Sequence, residues 1–569
     1  MKLRKILAPA TWQGLAITAG VLLGSTALTP PAKAIEFEYG EVSGSVYTTL
    51  SAGATIRAAQ RNRRFVSGPL KAFGYIGGNG GDGSLGNEWS PDGDDGNLNF
   101  DEGDVVTAPV RGTTELDARW KNLGFYARGT AFYDYIFDNN DLQRNGSKTR
   151  PRYLQPNAQD DARMGWEMQD LYVRGEFDIG TQPLNVRIGQ QTITWGEAMF
   201  SGNAINVINP LDISKLVIPG TELRDGLMPV PMAWASYEIQ EGLTVEGFYQ
   251  WQFRPTRFPP NGTFFGTDFL GEAIDRTTGV AFPNDCGDTM PGNLCFRTRP
   301  YNHPGDSGNW GIASRIFSEE LNSTEFGLYF IHYTDRNPSI SYSNDGRGGL
   351  YNYQDYRRNI KLVGGSFNTT IDSIGWSLAG EVSYKMDASG WIYGGDTIGI
   401  AAATPGYVYG SVPVDAWTGV LRGLRTIPEG NPFVQALGAS GITLIPELSM
   451  SYVPTMPDGK NLLAGSTSAD QGRATKASTS GIMIVSVAYD DPFGVGVNAT
   501  PNFVYYHSIQ GSSPLLGQWV KGAGGYSVGV NFEYQKAWNA SLGYTNKLGS
   551  RSWTQNDMDF VSMSVSYVF

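Results

Sequence analysis

The sequence has few charged residues and few histidines, and each shortage excludes a class of protein. Only 17% of the 569 residues are charged and the formal net charge is −12, which excludes a basic nucleic-acid-binding protein. The three histidines, His303, His332 and His507, are far apart and accompany no nucleotide-binding or zinc-binding motif. We therefore expect neither an enzyme nor a bound cofactor.

Long hydrophobic runs are also missing. After residue 30 no stretch of about 18 or more apolar residues occurs, so helices cannot carry this chain across a membrane. Aromatic residues make up 12% of the chain, and its 73 glycines are about twice the usual ~7% share. If the protein crosses a membrane, only a closed β-sheet remains as the spanning structure.

The N-terminus has the pattern of a cleaved secretory signal. Basic residues within the first five positions precede an apolar run over residues 15–28, and Ala32-Lys33-Ala34 forms a small-x-small cleavage site. The alternative, a membrane anchor, requires a longer apolar run. We expect residues 1–34 to be removed and the mature chain to begin at Ile35.

Cysteine is nearly absent, and the two cysteines lie close together. Cys286 and Cys295 fall within a stretch rich in Pro, Gly, Asn and Asp. An exported chain meets oxidising conditions, so we expect the pair to form a disulfide in an outer loop. A metal pair is the alternative, but a second pair of ligands is missing nearby.

The main positive signal is a two-residue alternation of apolar and polar positions. Over Leu123–Tyr135 the odd positions are apolar, and the even ones include Arg128 and Asp134. The same alternation occurs over Ile374–Met386 and Ile442–Tyr452. Aromatic residues cluster near strand ends, at Trp120, Tyr133, Tyr135, Tyr237, Tyr249, Trp251, Tyr333, Trp376, Tyr384, Tyr505 and Tyr506. This is typical of the aromatic girdles of an outer-membrane barrel.

The chain ends on an alternating strand whose last residue is Phe569, a pattern typical of the signal that outer-membrane assembly machinery reads. Short turns and long loops then alternate along the sequence. Because Ile442–Tyr452 alternates too regularly to dismiss and needs a partner strand, which we place at Val414–Thr426, we predict an all-β transmembrane antiparallel β-barrel of 18 strands, with 16 as the alternative. Residues 35–569 form this single domain, with inserted segments at 57–112 and 194–232.

The predicted inner wall carries charges of both signs. The predicted lining residues are Arg128, Asp170, Arg174, Glu176, Arg187, Glu246, Glu381, Lys385 and Glu447. One interpretation is a solvated or mutually paired wall, since such charges are tolerated in a lumen but not on the lipid side. The other is a lining that selects solutes. The alternation alone does not separate the two.

The segment 194–232 is too apolar to remain in water as a loop. We predict that it folds into the barrel as a plug or a constriction, with Glu197, Asn209 and Asp212 as its polar anchors. Pro210 follows Asn209 at a position that favours the start of a short helix. A purely structural plug is the alternative to a gate.

The first long loop is acidic. Asp95, Asn97, Asn99 and Asp101 have the alternate spacing of calcium-binding loops. Phe100 stands where an EF-hand loop has glycine, so the match is incomplete. A weak calcium site and a solvated turn are the two interpretations.

Five segments resemble one family, the domain of unknown function 1302 family of proteobacterial outer-membrane proteins. They are residues 37–44, 94–100, 187–197, 206–212 and 229–232. The resemblance implies a location in the outer membrane of a Gram-negative bacterium, in contact with outer-membrane lipid. It also implies a part in the transport of hydrophobic molecules such as lipids, sterols or hydrocarbons, with a periplasmic protein and a resistance-nodulation-division type transporter as partners. A general diffusion porin for small polar solutes is the alternative function.

Overall fold

The computed structural model describes most of the chain after residue 33. The described residues are 34–60, 99–138, 156–202, 204–221, 223–260, 262–266, 296–299, 302–392, 400–401, 403–457, 474–515, 519–549 and 557–569. The predicted signal peptide up to residue 33 and both cysteines lie outside them, as do Asp95 and Asn97 of the calcium candidate. Among the described residues, no helix has the length and apolar character needed to cross a membrane.

In the described residues, twenty-four strands form two sheets. In chain order they are β1 (Ile35–Tyr39), β2 (Val42–Arg57), β3 (Val105–Thr107), β4 (Pro109–Trp120), β5 (Leu123–Asp134), β6 (Met164–Ile179), β7 (Gln182–Gln191), β8 (Val230–Gln240), β9 (Leu243–Gln250), β10 (Phe296–Thr298), β11 (Asn309–Ser318), β12 (Thr324–Tyr333), β13 (Ser339–Asn344), β14 (Leu350–Asp355), β15 (Ile360–Ile371), β16 (Trp376–Trp391), β17 (Gly406–Val408), β18 (Ser411–Pro428), β19 (Gly441–Tyr452), β20 (Ala477–Ala488), β21 (Val497–Gln510), β22 (Gly524–Tyr534), β23 (Trp538–Leu548) and β24 (Phe560–Val568). Short helices lie at Pro156–Arg163, Ile213–Leu216 and Pro432–Ala436.

The larger sheet closes on itself as a barrel of 18 antiparallel strands, which confirms the predicted fold. Its wall consists of β2, β4–β9, β11, β12, β15, β16 and β18–β24, each paired with the next in the chain. Closure occurs at β2, which pairs with β4 on one side and with β24 on the other. The short strand β1 pairs with β2 from Val46 to Val42, beyond the end of β24.

The two ends of the barrel differ in their connections. At one end the strands are joined mostly by tight turns, as at Lys121-Asn122, where Lys121 has a φ of 53°. Both the start of β1 and the C-terminus lie at this end. At the other end long loops connect the strands, and β10, β13, β14 and β17 form a separate four-stranded sheet there.

Side chains alternate between the two faces of the wall, as the period-two pattern predicts. On β5, Phe125 and Tyr133 are exposed on the outer face, whereas Arg128 and Thr130 are buried on the inner face. The outer face is apolar all around the barrel.

Two of the aromatic residues expected in the girdles lie elsewhere. Tyr333 and Tyr506 are each 4% exposed and pack inside the barrel. Both residues lie near strand ends, as predicted, but a girdle residue must also lie on the outer face of the sheet. Tyr505, the immediate neighbour of Tyr506, is outward and 40% exposed.

We expect deletion of Phe569 to reduce assembly in the outer membrane. The Phe569 N–H donates to the Thr48 carbonyl at 3.0 Å, and the Thr48 N–H donates to the Phe569 carbonyl at 2.8 Å, so the last residue completes the closure. Heat-modifiable electrophoretic mobility of membrane fractions measures the folded yield. Refolding the same variant in detergent is the control, because a loss there as well would indicate a defect of stability and not of recognition.

Candidate functional site

Residues 192–229, which connect β7 to β8, fold into the barrel and are called the lumen segment here. One part of the segment meets the wall near its closure, where a methyl group on Gly53 would lie 3.0 Å from Pro219 Cγ. Another part, Met199 and Phe200, packs against β20 and β21. The segment therefore contacts distant sectors of the wall and crosses the lumen.

Glu381 on β16 binds the start of the lumen segment through backbone amides. Its Oε1 accepts the N–H of Ile205 at 2.8 Å, and its Oε2 accepts the N–H of Ala198 at 2.9 Å as well as the N–H of Glu197. A segment inside a barrel must find acceptors for its backbone N–H groups, and an ionised acceptor makes the strongest hydrogen bonds. A single carboxylate thus fixes both ends of a nine-residue stretch, 197–205.

Glu447 on β19 holds the middle of the same stretch. Its Oε2 accepts the Met199 N–H at 2.7 Å, and its Oε1 accepts the Phe200 N–H at 3.0 Å and the Ser201 hydroxyl at 2.8 Å. Glu381 and Glu447, the two wall carboxylates, are both buried and face the lumen, as the alternation predicts. Their partners belong to the lumen segment and not to the wall.

Apolar side chains of the segment pack against β9, β11 and β15 of the wall. Trp195 is 1% exposed and packs on Phe248, with ring centroids 5.0 Å apart. Its Nε1–H donates to Glu246 at 2.9 Å. Glycines of the wall make the space: a methyl group on Gly311 would lie 2.8 Å from the Trp195 ring, and one on Gly364 would lie 2.9 Å from Ile205.

The far end of the lumen segment is fixed by charge. Asp225 is buried and accepts hydrogen bonds from Arg111, at 3.2 Å, and from Arg128. Burial by itself raises the pKa of Asp225, but the charges of Arg128, Arg111 and Arg224 outweigh it and hold the pKa at about 2. Glu115 forms ion pairs with Arg128 and Arg224, and its carboxylate balances the remaining positive charge.

Arg128 is a predicted lining residue. The other four members of this charged group were not predicted from the sequence: Arg111, Glu115, Arg224 and Asp225. Arg111 and Glu115 fall at the border of a stretch expected to be a loop, but the wall strand β4 begins at Pro109. Arg224 and Asp225 are adjacent charged residues within a largely apolar segment. This adjacency is the sequence feature that could have indicated their role. Charged pairs in such a setting require partners once the segment is buried.

The three predicted anchors make different kinds of contact. Glu197 Oε2 accepts from Asn368 on β15 at 2.9 Å and lies 3.8 Å from Arg422 on β18, so this side chain contacts the wall. Asn209 bonds the backbone N–H and C=O of Ile193, at 3.3 and 2.6 Å, and therefore ties the segment to itself.

Asp212 belongs to a group of four alternating charges. It begins the helix Ile213–Leu216 by accepting the Lys215 N–H at 3.2 Å, and its Oδ2 lies 2.8 Å from Arg257 Nη1. Lys215 and Arg257 both pair with Glu167 on β6. The helix is thereby joined to the wall through Lys215 and to the β9–β11 loop through Arg257.

All nine predicted lining residues lie on the inner face, but they fall into different environments. Arg174 pairs with Asp117 at 2.8 Å, and Glu176 pairs with Arg119 at 3.2 Å near the short-turn end, which fits the mutually paired interpretation. Arg187 stacks 4.3 Å above the ring of Trp234. Asp170 lies opposite Arg128 in the β5–β6 register, Glu246 pairs with Arg315, and Lys385 is buried.

Asn99 and Asp101, the described residues of the calcium candidate, lie outside this assembly, as do the histidines. The Asn99 amide donates to the Gly262 carbonyl at 2.8 Å, and Asp101 lies in the turn that precedes β3. Across the described ranges, no three His, Cys, Asp or Glu side chains form a metal-binding group. The calcium site stays a prediction. In the described part of the chain, His303 hydrogen-bonds within its own loop, and His332 bonds the Gly308 carbonyl at 2.5 Å.

We expect the docking of the lumen segment to weaken as the pH rises from about 4.5 to about 7. Burial raises the pKa of Glu197 from 4.5 to about 7, against the charge of Arg422. A raised carboxyl pKa favours the docked state at low pH, and this contribution is lost as the pH rises through about 7. Ion conductance in planar bilayers should increase across that range. Replacing Glu197→Gln should abolish the increase, and an unchanged pH profile in the variant would contradict this assignment.

Comparisons with known proteins bear on the family and the fold. A family model described as protein of unknown function (DUF1302) matches residues 15–569. No curated protein sequence matches the chain. Similar solved structures include Pseudomonas aeruginosa OccK9 (OpdG), with 12% identity, 92% of this chain and 98% of that chain covered, and a TM-score of 0.40. P. aeruginosa OpdK with vanillate shows 10% identity, coverages of 92% and 98%, and a TM-score of 0.40. The outer membrane channel DcaP of Acinetobacter baumannii shows 9% identity, coverages of 94% and 99%, and a TM-score of 0.34.

Proposed function

The chain belongs to the family of proteins of unknown function DUF1302, and we propose that it is an outer-membrane channel for hydrophobic molecules, gated by its lumen segment. The observation that carries the proposal is the folding of residues 192–229 into the lumen, where Glu381 and Glu447 bind their backbone. A gate formed by this segment would narrow the aqueous path.

The outer face supports a location in a membrane. Large apolar side chains are exposed on wall strands around the whole barrel, for example Val173 at 50%, Leu328 at 62% and Val565 at 42%. A soluble monomer does not expose a continuous apolar belt of this kind, whereas an outer-membrane barrel presents one to lipid. The aromatic residues Trp120 and Tyr249 mark opposite ends of their strands on this face.

The chemistry of the filled lumen supports an apolar solute. The interior charges at the lumen segment are bound in ion pairs or to backbone amides, and apolar side chains occupy much of the remaining surface. A small polar solute would gain few new partners there. We further propose the partners that the family resemblance implies, a periplasmic protein and a resistance-nodulation-division type transporter, which would deliver or remove a solute of low water solubility.

A diffusion porin for small polar solutes is the second candidate. It is favoured by the ion pair Arg119–Glu176 near the short-turn end, whose two side chains are each 55% exposed to the lumen side. Such a hydrated vestibule would suit polar solutes if the lumen segment left a continuous path.

Two measurements on the native protein separate the candidates. A gated channel for hydrophobic molecules should show low single-channel conductance in planar bilayers, and organic extraction of the purified protein should yield a bound apolar compound by mass spectrometry. High conductance together with the absence of any such compound would overturn the proposal in favour of the porin.

A further inference from the structure

A cavity of about 270 Å³ lies beside the lumen segment, toward the long-loop end of the barrel. The inner face of β5 and β6 forms one side of it. The helix Ile213–Leu216 and the residues that follow form its floor, and the β9–β11 loop forms the opposite side. None of the interactions that close the lumen at Glu381, Glu447 or Asp225 accounts for this space.

Most of the cavity lining is aromatic or aliphatic. Phe258 and Phe264 are 5% and 1% exposed, and Phe132, Phe265, Val217 and Ile218 also face the space. The cover is an apolar cluster from several loops, in which Phe100 packs edge-on against Phe264 at 6.1 Å. A mostly apolar space of this kind favours an apolar ligand, since water along its aromatic side would find few partners.

One end of the cavity is polar, and the charges at that end balance one another. Lys215, Arg257 and Glu167 line it, and Asp212 lies directly behind them, so two cations face two carboxylates. Asp134 and Asp161 also line the cavity, and the Asp134 carboxylate accepts hydrogen bonds from the Thr107 hydroxyl and from the N–H groups of Ala108 and Ile136. The hydroxyls of Thr130 and Ser214 lie at the polar end and retain acceptor capacity. A neutral hydroxyl or carbonyl can bond here, whereas an ionised ligand would disturb a balanced set of ion pairs.

We propose that this cavity binds an uncharged hydrophobic molecule that carries one neutral polar group, such as a long-chain or polycyclic alcohol. The proposal rests on the proposed function and names the substrate class of that channel. The apolar body lies among Phe258, Phe264 and Val217, and the polar group points to the four alternating charges.

Photoaffinity labelling tests the site directly. The probe is a long-chain primary alcohol carrying an alkyl diazirine, and the matched carboxylic acid with the same chain is the comparison probe. Labelled peptides of the purified, full-length protein are located by mass spectrometry. We expect the alcohol to label residues 213–218 and 257–265, and we expect the acid to label them about tenfold less.

Two matched valine-to-tryptophan variants make the test specific. Val217→Trp fills the cavity and should lower labelling by the alcohol about tenfold. Val110→Trp makes the same change on the outer face of β4, where Val110 is 58% exposed, and should leave cavity labelling unchanged. Heat-modifiable mobility confirms that both variants fold.

The outcomes distinguish this inference from the proposed function. Labelling confined to outward-facing strand residues, or equal labelling by acid and alcohol, would overturn the cavity assignment. High conductance of the native protein would overturn the gated channel even if the alcohol labels the cavity. Cavity labelling that Val217→Trp removes and Val110→Trp retains would establish the site.

Discussion

Deleting residues 203–227 is expected to raise the ion conductance by about an order of magnitude, because a barrel of this size without a plug leaves an aqueous channel. The wall itself should survive. Strands β7 and β8 pair directly as far as Gln191 and Val230, so the shortened connection still closes an ordinary hairpin. Arg111 and Arg128 lose Asp225 but gain water in the opened lumen. Single-channel recordings in planar bilayers measure the change.

The same deletion should also remove any bound apolar compound, since it takes away the helix that forms the floor of the cavity. Folded yield, measured by heat-modifiable mobility, is the control. A folded deletion variant with the conductance of the native protein would show that the lumen segment does not close the path.

The second large effect is expected from the double replacement Glu381→Gln and Glu447→Gln. Each glutamine keeps one acceptor oxygen but places an NH₂ group against backbone N–H donors of residues 197–205. Hydrogen bonds to charged groups contribute about 1.5–3 kcal/mol each. Losing one bond should shift the docked segment toward release by at least about tenfold, and losing two should shift it by roughly a hundredfold or more, since 1.36 kcal/mol is a factor of ten.

Conductance of this variant should fluctuate between low and high levels, because the segment remains in the chain and can dock again. Glu325→Gln is the matched control: Glu325 faces the lumen from β12 and pairs with Arg315 of the wall at 2.9 Å. Steady native-like conductance in the double variant would mean that apolar packing alone holds the segment.

The wall could be predicted from sequence because its signal is local. Period-two alternation placed a strand at Ile442–Tyr452, and the structure has Gly441–Tyr452. A cluster of aromatic residues near a strand end does not by itself identify a girdle, because neighbouring residues such as Tyr505 and Tyr506 face opposite sides of the sheet. The strand predicted at 414–426 extends over Ser411–Pro428, because backbone pairing with the neighbouring strands continues beyond the predicted residues.

The contacts inside the barrel could not be predicted in the same way. Glu381 and Glu447 look like any other inward charge in sequence, and their partners lie 176 to 248 positions away. Burial of residues 192–229 follows from their apolar composition, but the choice of acceptor depends on how the closed wall brings distant strands to one lumen. The contacts of Asp225 could not be predicted because Arg111 and Arg128 lie on β4 and β5, and Asp225 reaches them only when its segment folds into the lumen.

The glycines beneath the lumen segment carry an evolutionary consequence. Gly311 and Gly364 leave space for Trp195 and Ile205, and any larger side chain at either position would collide with them. A change in the shape of the segment therefore requires a compensating change in strands more than a hundred positions away. Grafting the segment of one family member into the wall of another should fail unless these positions are exchanged with it. Bulky residues at 195 and 205 and glycines at 311 and 364 should thus be inherited together across the family.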